Sequence, residues 1–267
     1  MDRTKLLEQL KRALMVEVER APALPEGNLG LVVVDAVRGF TRTGSLSDPG
    51  SMAPMVQELD QLIRALDRTL GERLHLLVLR DRHHADIPEP PYPPHCIVGS
   101  GEEELDPELA WLERHERVTL VDKDCINGFV GAMRPAGGGL YRNLLTEWVL
   151  RNDLRALVLV GDCTDICVSD LTVALLSARN HGLLTRVSPD DRQAYVEAIT
   201  SMAIFVYVPG CATFDLDPED PGELPADRLT LRHPGPVAHH VGLWLMASRG
   251  ARLIDGFAPL RQGEISA

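Results

Sequence analysis

Two kinds of apolar pattern alternate along this chain. Short continuous runs rich in β-branched residues are separated by longer stretches in which apolar positions recur every three or four residues. Leu29-Gly-Leu-Val-Val-Val-Asp35 is of the first kind, as expected of a parallel strand covered on both faces, and it ends in a carboxylate. Met52 to Leu70 is of the second kind, with Met55, Leu59, Leu62, Ile63 and Leu66 on one helical face. The same reading predicts strands at Leu74–Leu79, Arg117–Val121, Ala156–Val160, Ala203–Val208 and Arg252–Ile254. It predicts helices near Pro107–His115, at Tyr141–Arg151, from Cys167 to His181 and at Val237–Ser248. Asn180-His-Gly182 closes the third of these with a C-terminal cap signal. An amphipathic helix carrying Leu6, Leu7, Leu10 and Leu14 is expected at about residues 2–20. Strand–helix alternation of this kind predicts an α/β fold, three layers (α-β-α) around a parallel sheet, in one domain over residues 1–267.

Ligands of such sheets bind beyond the carboxyl ends of the strands. Asp35, Asp81, Lys123 and Asp162 all fall at or just beyond those ends, so segments far apart in sequence meet on one rim. Gly137-Gly-Gly139 invites a phosphate-loop reading, but no strand leads directly into it and no Lys-Ser/Thr follows, so a flexible loop is expected there.

Composition narrows the function classes. The chain has 267 residues, 45% hydrophobic and 25% charged, with a net charge of −12. That balance argues against a nucleic-acid surface and against binding an acidic membrane face. No apolar stretch approaches the length of a bilayer span, and the N-terminal segment lacks the uninterrupted apolar core of a signal peptide. Five cysteines form an odd set (Cys96, Cys125, Cys163, Cys167 and Cys211), which reads as reduced thiols in a cytoplasmic enzyme. The apolar residues of the Val237–Ser248 helix lie on several sides, which fits a buried core helix or a contact in a homo-oligomer.

The segment Gly161-Asp-Cys-Thr-Asp-Ile-Cys-Val-Ser-Asp170 places a thiol where a buried strand gives way to a helix. Cys167 is expected in the first helical turn, where unpaired backbone N–H groups favour a thiolate able to attack carbonyl carbon. A small buried cysteine is the ordinary alternative. Asp35 could take the thiol's proton and later deliver it to a departing amine, and Lys123 could hold that aspartate charged. Taken singly, Asp35 could be a turn cap and Lys123 part of a solvated cluster with Asp122 and Asp124; three such residues on one rim favour acyl transfer.

A second group follows the second strand. Alternate residues of a strand end point the same way, so Asp81 and His83 can converge on one ion. The prolines of Pro90-Pro-Tyr-Pro-Pro-His95 stiffen a loop that could return Glu89 and His95 to it. Imidazole with carboxylate suits zinc, iron or manganese better than magnesium. Spacing alone does not separate this metal site from a histidine-bearing surface loop, and His84 is expected to face solvent or stand behind the ligands.

With these residues in place the chain resembles the isochorismatase-like cysteine hydrolases. Asp35, Lys123 and Cys167 match that superfamily's Asp–Lys–Cys triad, and the metal group matches its nicotinamidase branch. The segments His83 to Gly99, Lys123 to Gly131, Cys163 to Val168, Ser177 to Gly182, Gly210 to Leu216 and His239 to Leu243 resemble plant-type nicotinamidases, and the likeness runs from about Leu29 to Ile254. The resemblance implies a six-stranded parallel sheet and hydrolysis of nicotinamide to nicotinate and ammonia, a step of NAD salvage. It implies a divalent metal, zinc first and iron or manganese next, that binds the pyridine nitrogen and orients the ring. The ligands carried over are Asp81, His83, Glu89 and His95. Phe40 and Tyr92 match aromatic positions flanking the ring. A cis peptide is implied at Asp162–Cys163, with the backbone N–H groups of Cys163 and Cys167 forming the oxyanion hole. Two segments depart from the pattern: Ala36-Val-Arg-Gly39, where many bacterial members carry Gln-Asn-Asp, and Ser188 to Met202, which is longer and is expected to form an added helix.

Three other functions remain open on the sequence. One is an amidase of the same superfamily acting on another carboxamide or an N-carbamoyl compound. Isochorismate vinyl-ether hydrolysis is another, against which Cys167 counts because that branch lacks the nucleophilic cysteine. The third is a non-catalytic metal-binding module of the same fold.

Overall fold

The computed structural model describes residues 3–216 and 233–260. Its first half contains α1 (Arg3–Ala13), β1 (Asn28–Val34), α2 (Arg38–Thr41), α3 (Pro49–Leu70), β2 (Leu74–Asp81), β3 (Val118–Lys123) and α4 (Gly128–Gly131). Then come β4 (Met133–Gly137), β5 (Leu140–Asn143), α5 (Leu144–Arg151), β6 (Leu154–Gly161), α6 (Ser169–Asn180), α7 (Arg192–Ser201), β7 (Ala203–Cys211), α8 (Gly235–Ser248) and β8 (Arg252–Ile254). Six strands form one sheet in the order β3-β2-β1-β6-β7-β8, and every neighbouring pair is parallel.

The continuous apolar runs follow from burial on both faces. Leu31, Val33, Leu76, Val78, Val158 and Val160 pack against Met52, Met55, Leu59 and Ile63 of α3. Val32, Val34, Leu77, Leu79, Leu157 and Leu159 point the other way, onto Trp148, Leu171, Leu175 and Met246. Each strand thus feeds two cores by simple alternation. α3 begins where the sequence supplies its cap: Ser51 N donates to Asp48 Oδ1 at 3.2 Å, and Pro49 occupies the first turn.

Chain direction splits at β1. The chain moves outward through β2 and β3, returns to β6 on the other side of β1, and moves outward again through β7 and β8. The gap between the carboxyl ends of β1 and β6 is therefore the topological switch point, where such sheets open a crevice. At that gap the two backbones touch. Gly161 has φ +116°, and a Cβ there would run into the carbonyl oxygen of Val34. Gly161→Ala is expected to lower stability by at least about 2 kcal/mol, a fall in Tm of roughly 5 °C or more. Differential scanning calorimetry checks this, and an unchanged Tm would show that the strand ends have room to part.

Several elements differ from the sequence reading. The amino-terminal helix, expected over about 2–20, runs only from Arg3 to Ala13; residue 2 lies outside the described residues. Beyond it the chain is extended, with Val16 and Val18 against the core and Glu19 N donating to Leu253 O at 2.8 Å. Alternating Val16-Glu-Val-Glu19 is a strand-like pattern that the leucine spacing upstream obscured. Gly137-Gly-Gly139, read as a flexible loop, forms the turn of an antiparallel hairpin between β4 and β5, with all three glycines at positive φ. The helix expected from Tyr141 starts at Leu144, because Asn143 Oδ1 accepts from Thr146 N at 2.9 Å and caps it there. The added helix within 188–202 is present as α7, and Tyr195 on it donates a hydrogen bond to His181 O at 3.0 Å. Among the described residues, no helix is long and apolar enough to cross a membrane.

Candidate active site

Three strand ends bring the rim residues together. Asp35 directly follows β1, Lys123 ends β3, and Cys167 lies in the turn after β6. Asp35 has φ +51°, a left-handed conformation that aspartate tolerates better than most residues, and it turns the chain sharply into α2. Lys123 is a fully buried cation between two carboxylates, its Nζ 2.8 Å from Asp35 Oδ2 and 2.8 Å from Asp81 Oδ1. The same Nζ donates to Cys167 Sγ at 3.8 Å. Burial works against the lysine's charge, but Asp35 and Asp81 outweigh it and hold the ammonium well above its ordinary range. Asp35 and Asp81 together carry one more negative charge than Lys123 balances. Burial therefore pushes the Asp35 carboxyl up to about 6 against the pull of Lys123, with Asp81 adding to the rise.

Cys167 departs from the expected regular first turn. Thr164–Val168 winds as a π turn, with Val168 N donating to Cys163 O at 3.1 Å, and the α-helix proper begins at Ser169. The thiolate expected from a helix N-terminus is not the resting form. Burial raises the Cys167 thiol well above its usual range, Lys123 opposes the rise, and the charges of Asp35 and Asp81 add to it. The site at rest holds a neutral thiol beside a carboxylate able to take its proton. The peptide bond between Asp162 and Cys163 is cis, as the resemblance implied.

The second group also assembles. Asp81, His83 and His95 are all buried and offer ligand atoms that lie within 4.8 Å of one another. Nε2 of His83 and Nε2 of His95 each lie 3.0 Å from Asp81 Oδ2. His95 Nδ1 lies 2.8 Å from the carbonyl oxygen of Pro93, which can only accept, so that nitrogen carries a proton. Burial works against a second proton on Nε2, but Asp81 outweighs it and raises the imidazole. A divalent cation between Nε2 and the carboxylate would take the place of that proton, and the excess negative charge beside Lys123 favours it. Glu89 stands at the fringe: Oε2 lies 3.6 Å and 3.7 Å from the two imidazole nitrogens, and Oε1 accepts from Ile126 N at 2.9 Å. His84 is exposed.

A small cavity joins the two groups. Phe40, Tyr92, Asp81, Glu89, His95, Lys123, Cys163 and Cys167 line it, together with Leu46, Ile126, Ile166 and Phe214, while Asp35 and His83 stand behind that lining. Phe40 and Tyr92 flank His95 with ring centroids 5.7 and 6.1 Å away. The four additional lining residues carry no chemical signal in a sequence, although Ile126, Ile166 and Phe214 fall within segments that resemble the family and only Leu46 does not. Larger clefts elsewhere, such as that between α1 and α8, contain none of Cys167, His83 and His95.

Comparison with known proteins agrees with this geometry. The family model of the isochorismatase domain matches residues 30–212. Nicotinamidase 1 of Arabidopsis thaliana is 40% identical over 260 residues, covering 94% of this chain and 95% of the relative. A pyrazinamidase/nicotinamidase from Streptococcus mutans superposes with a TM-score of 0.57 at 19% identity, over 85% of this chain and 100% of that one. An N-carbamoylsarcosine amidase from Thermoplasma acidophilum superposes with a TM-score of 0.54 at 20% identity, over 85% of this chain and 95% of that one. At such identities the two structures speak for the fold alone.

Proposed function

The chain belongs to the isochorismatase-domain family, and on that premise we propose that it is a cysteine amidohydrolase converting nicotinamide to nicotinate and ammonia, a step of NAD salvage. The observation that carries this reading is one small cavity lined by Cys167 and Lys123 on one side and by Asp81 and His95 on the other, with Asp35 paired to Lys123 and His83 to Asp81 just behind that lining. The 40% identity to a plant nicotinamidase selects the substrate from among carboxamides.

The reaction follows from the resting charges. Asp35 takes the proton of Cys167 as the sulfur forms its bond to the carboxamide carbon. Charge then develops on the carbonyl oxygen, where the backbone N–H groups of Cys163 and Cys167 are assigned as donors, each worth about 10²–10³ in rate. Asp35 passes its proton to the amine, the C–N bond breaks, and ammonia leaves a thioester. Water attacks that thioester, Asp35 accepts the water's proton and returns it to the sulfur, and nicotinate departs. Lys123 stays charged throughout and keeps Asp35 from holding its proton too tightly. Asp81, His83 and His95, with Glu89 beside them, would hold a divalent ion, and their nitrogen–oxygen donor set suits zinc. Such an ion would supply a Lewis acid able to take a ring nitrogen of the substrate. Phe40 and Tyr92 are assigned to flank the ring.

The test is ammonia release from nicotinamide compared with an N-carbamoyl amine, with metal content measured before and after chelation. Faster release from the carbamoyl compound would reassign the substrate. The acid limb of kcat/KM gives a further prediction. Asp35 accepts a proton only when ionised, so activity is present above its ionisation and lost as pH falls through it. The loss is expected at or below about pH 6, since a bound cation also lowers this carboxyl. A pH–rate profile that rises toward pH 4 would remove Asp35 as the base.

A further inference from the structure

His233 lies outside the reacting groups, yet it touches both the turn that carries the thiol and the wall of the cavity. Its Nδ1 is 2.7 Å from the carbonyl oxygen of Phe214, and its Nε2 is 2.8 Å from Asp165 Oδ2. Asp165 is part of the Thr164–Val168 turn, two residues before Cys167, and its other oxygen accepts from Thr213 Oγ1 at 2.7 Å. The His233 ring packs on the Phe214 ring with centroids 4.2 Å apart, and Phe214 lines the cavity. His233 also pairs with Leu216 through reciprocal backbone hydrogen bonds of 2.9 and 3.2 Å, so its ring is held against Phe214 from the backbone as well.

Both ring nitrogens therefore face acceptors. A neutral imidazole carries one N–H and could satisfy only one of them, whereas an imidazolium donates to both. From these contacts, and resting on the nicotinamidase reading, we propose that His233 is a positioning residue. As an imidazolium it ties the Cys167 turn to the Phe214 wall, and loss of its proton loosens the grip on the substrate ring.

The surroundings fit a cation at this point. Burial works against the charge on His233, but the hydrogen bond and charge of Asp165 outweigh it, helped by the Phe214 carbonyl and by Asp215. Asp165 is lowered in turn, because His233 and Thr213 overcome the effect of its burial. Asp215 is paired with Arg3 at 2.5 Å and accepts from Gly235 N at 3.1 Å. From α8, His239 also approaches the turn, its Nδ1 2.9 Å from Thr164 Oγ1. Burial pushes it toward the neutral form, Asp165 opposing and His240 assisting. Gly242 of α8 packs so tightly on the turn that a Cβ would lie 2.7 Å from Asp165 Cα, which leaves the His233 side as the adjustable one.

The experiment pairs wild type with His233→Gln, and with Asp165→Asn in case the first variant folds poorly. Histidine ring resonances are followed by NMR from pH 6 to 9, and KM and kcat for nicotinamide are measured over the same range. In the wild type, His233 is expected to show two ring N–H protons at pH 7, with KM rising roughly tenfold as it titrates, the size of one lost charge-assisted hydrogen bond, and kcat changing much less. In the variants KM is already raised at pH 7 and that limb is gone. A His233 ring with a single N–H at pH 7, or a variant that keeps the KM limb, overturns the proposal. If the wild type releases no ammonia, the functional reading fails separately. The clamp is then judged on the ring titration and on iodoacetamide alkylation of Cys167, which should differ several-fold between wild type and variant below the titration and converge above it.

Discussion

Cys167→Ala is expected to lower ammonia release from nicotinamide by about 10⁴-fold or more, the scale seen when a nucleophile acting in concert with its base is removed. Nothing else at the site can take its place. Cys163, the other thiol lining the cavity, is pushed well above its usual range by burial, with the charges of Asp162 and Asp165 adding to the rise. Its polar contacts are with Asp162, Thr213 and the Phe214 backbone, not with the Lys123–Asp35 pair. The substitution should leave the fold standing. The turn is held by backbone bonds from Val168 N to Cys163 O and from Thr164 N to Ala212 O, at 3.1 and 2.8 Å, and neither involves the Cys167 side chain. Removing one buried sulfur costs about 1 kcal/mol of packing. Circular dichroism and metal content should therefore match wild type while activity vanishes. Cys167→Ser sharpens the result, because a hydroxyl of nearly the same shape is far harder to deprotonate with a carboxylate near 6. Turnover above about 1% of wild type in the alanine variant would show that sulfur is not the attacking atom.

The parts of this site legible in the sequence are those tied to strand ends. A continuous apolar run that closes on Asp, Lys or a Gly-Asp-Cys step identifies both the strand and the residue beyond it, and parallel topology then forces Asp35, Asp81, Lys123 and Cys167 onto one rim. The π turn was not legible. Val168, Leu171, Leu175 and Ala178 have helical spacing whether the first turn is α or π, and the extra residue shows only in the hydrogen bonds. The protonation of the thiol is not legible for a related reason. A helix N-terminus favours a thiolate, but total burial beside two carboxylates outweighs it, and burial at a strand–helix junction depends on residues far away in sequence. Leu46, Ile126 and Ile166 could not be distinguished from core positions, since an apolar residue looks the same whether it faces a cavity or another leucine. His233 and Asp165 lie 68 residues apart, and no local pattern announces their contact.

Asp81→Asn is expected to remove metal retention and turnover together, and the reason lies in what each oxygen does. Oδ1 pairs with Lys123 at 2.8 Å, and Oδ2 faces the two imidazole nitrogens at 3.0 Å each, so one carboxylate joins the acid–base group to the ion site. Asparagine keeps the shape and loses the charge. The ion site is then left with two imidazoles and the fringe carboxylate of Glu89, and affinity should fall by well over the roughly 10–100-fold seen when a residue that merely supports a ligand is changed. Lys123 is left with Asp35 as its partner carboxylate, which holds that aspartate more firmly ionised and makes it a weaker base. His83→Ala separates the two effects, because it opens the ion site and leaves both Lys123 pairs in place. Excess zinc should therefore restore much of the activity of His83→Ala, whereas Asp81→Asn should stay at least about 10²-fold below wild type even when saturated, the cost of a mistuned proton acceptor. Metal analysis and ammonia release across a zinc titration measure both quantities on the same samples. Equal recovery of the two variants would mean that Asp81 acts only as a ligand, and that Lys123 and Asp35 tune the thiol without it.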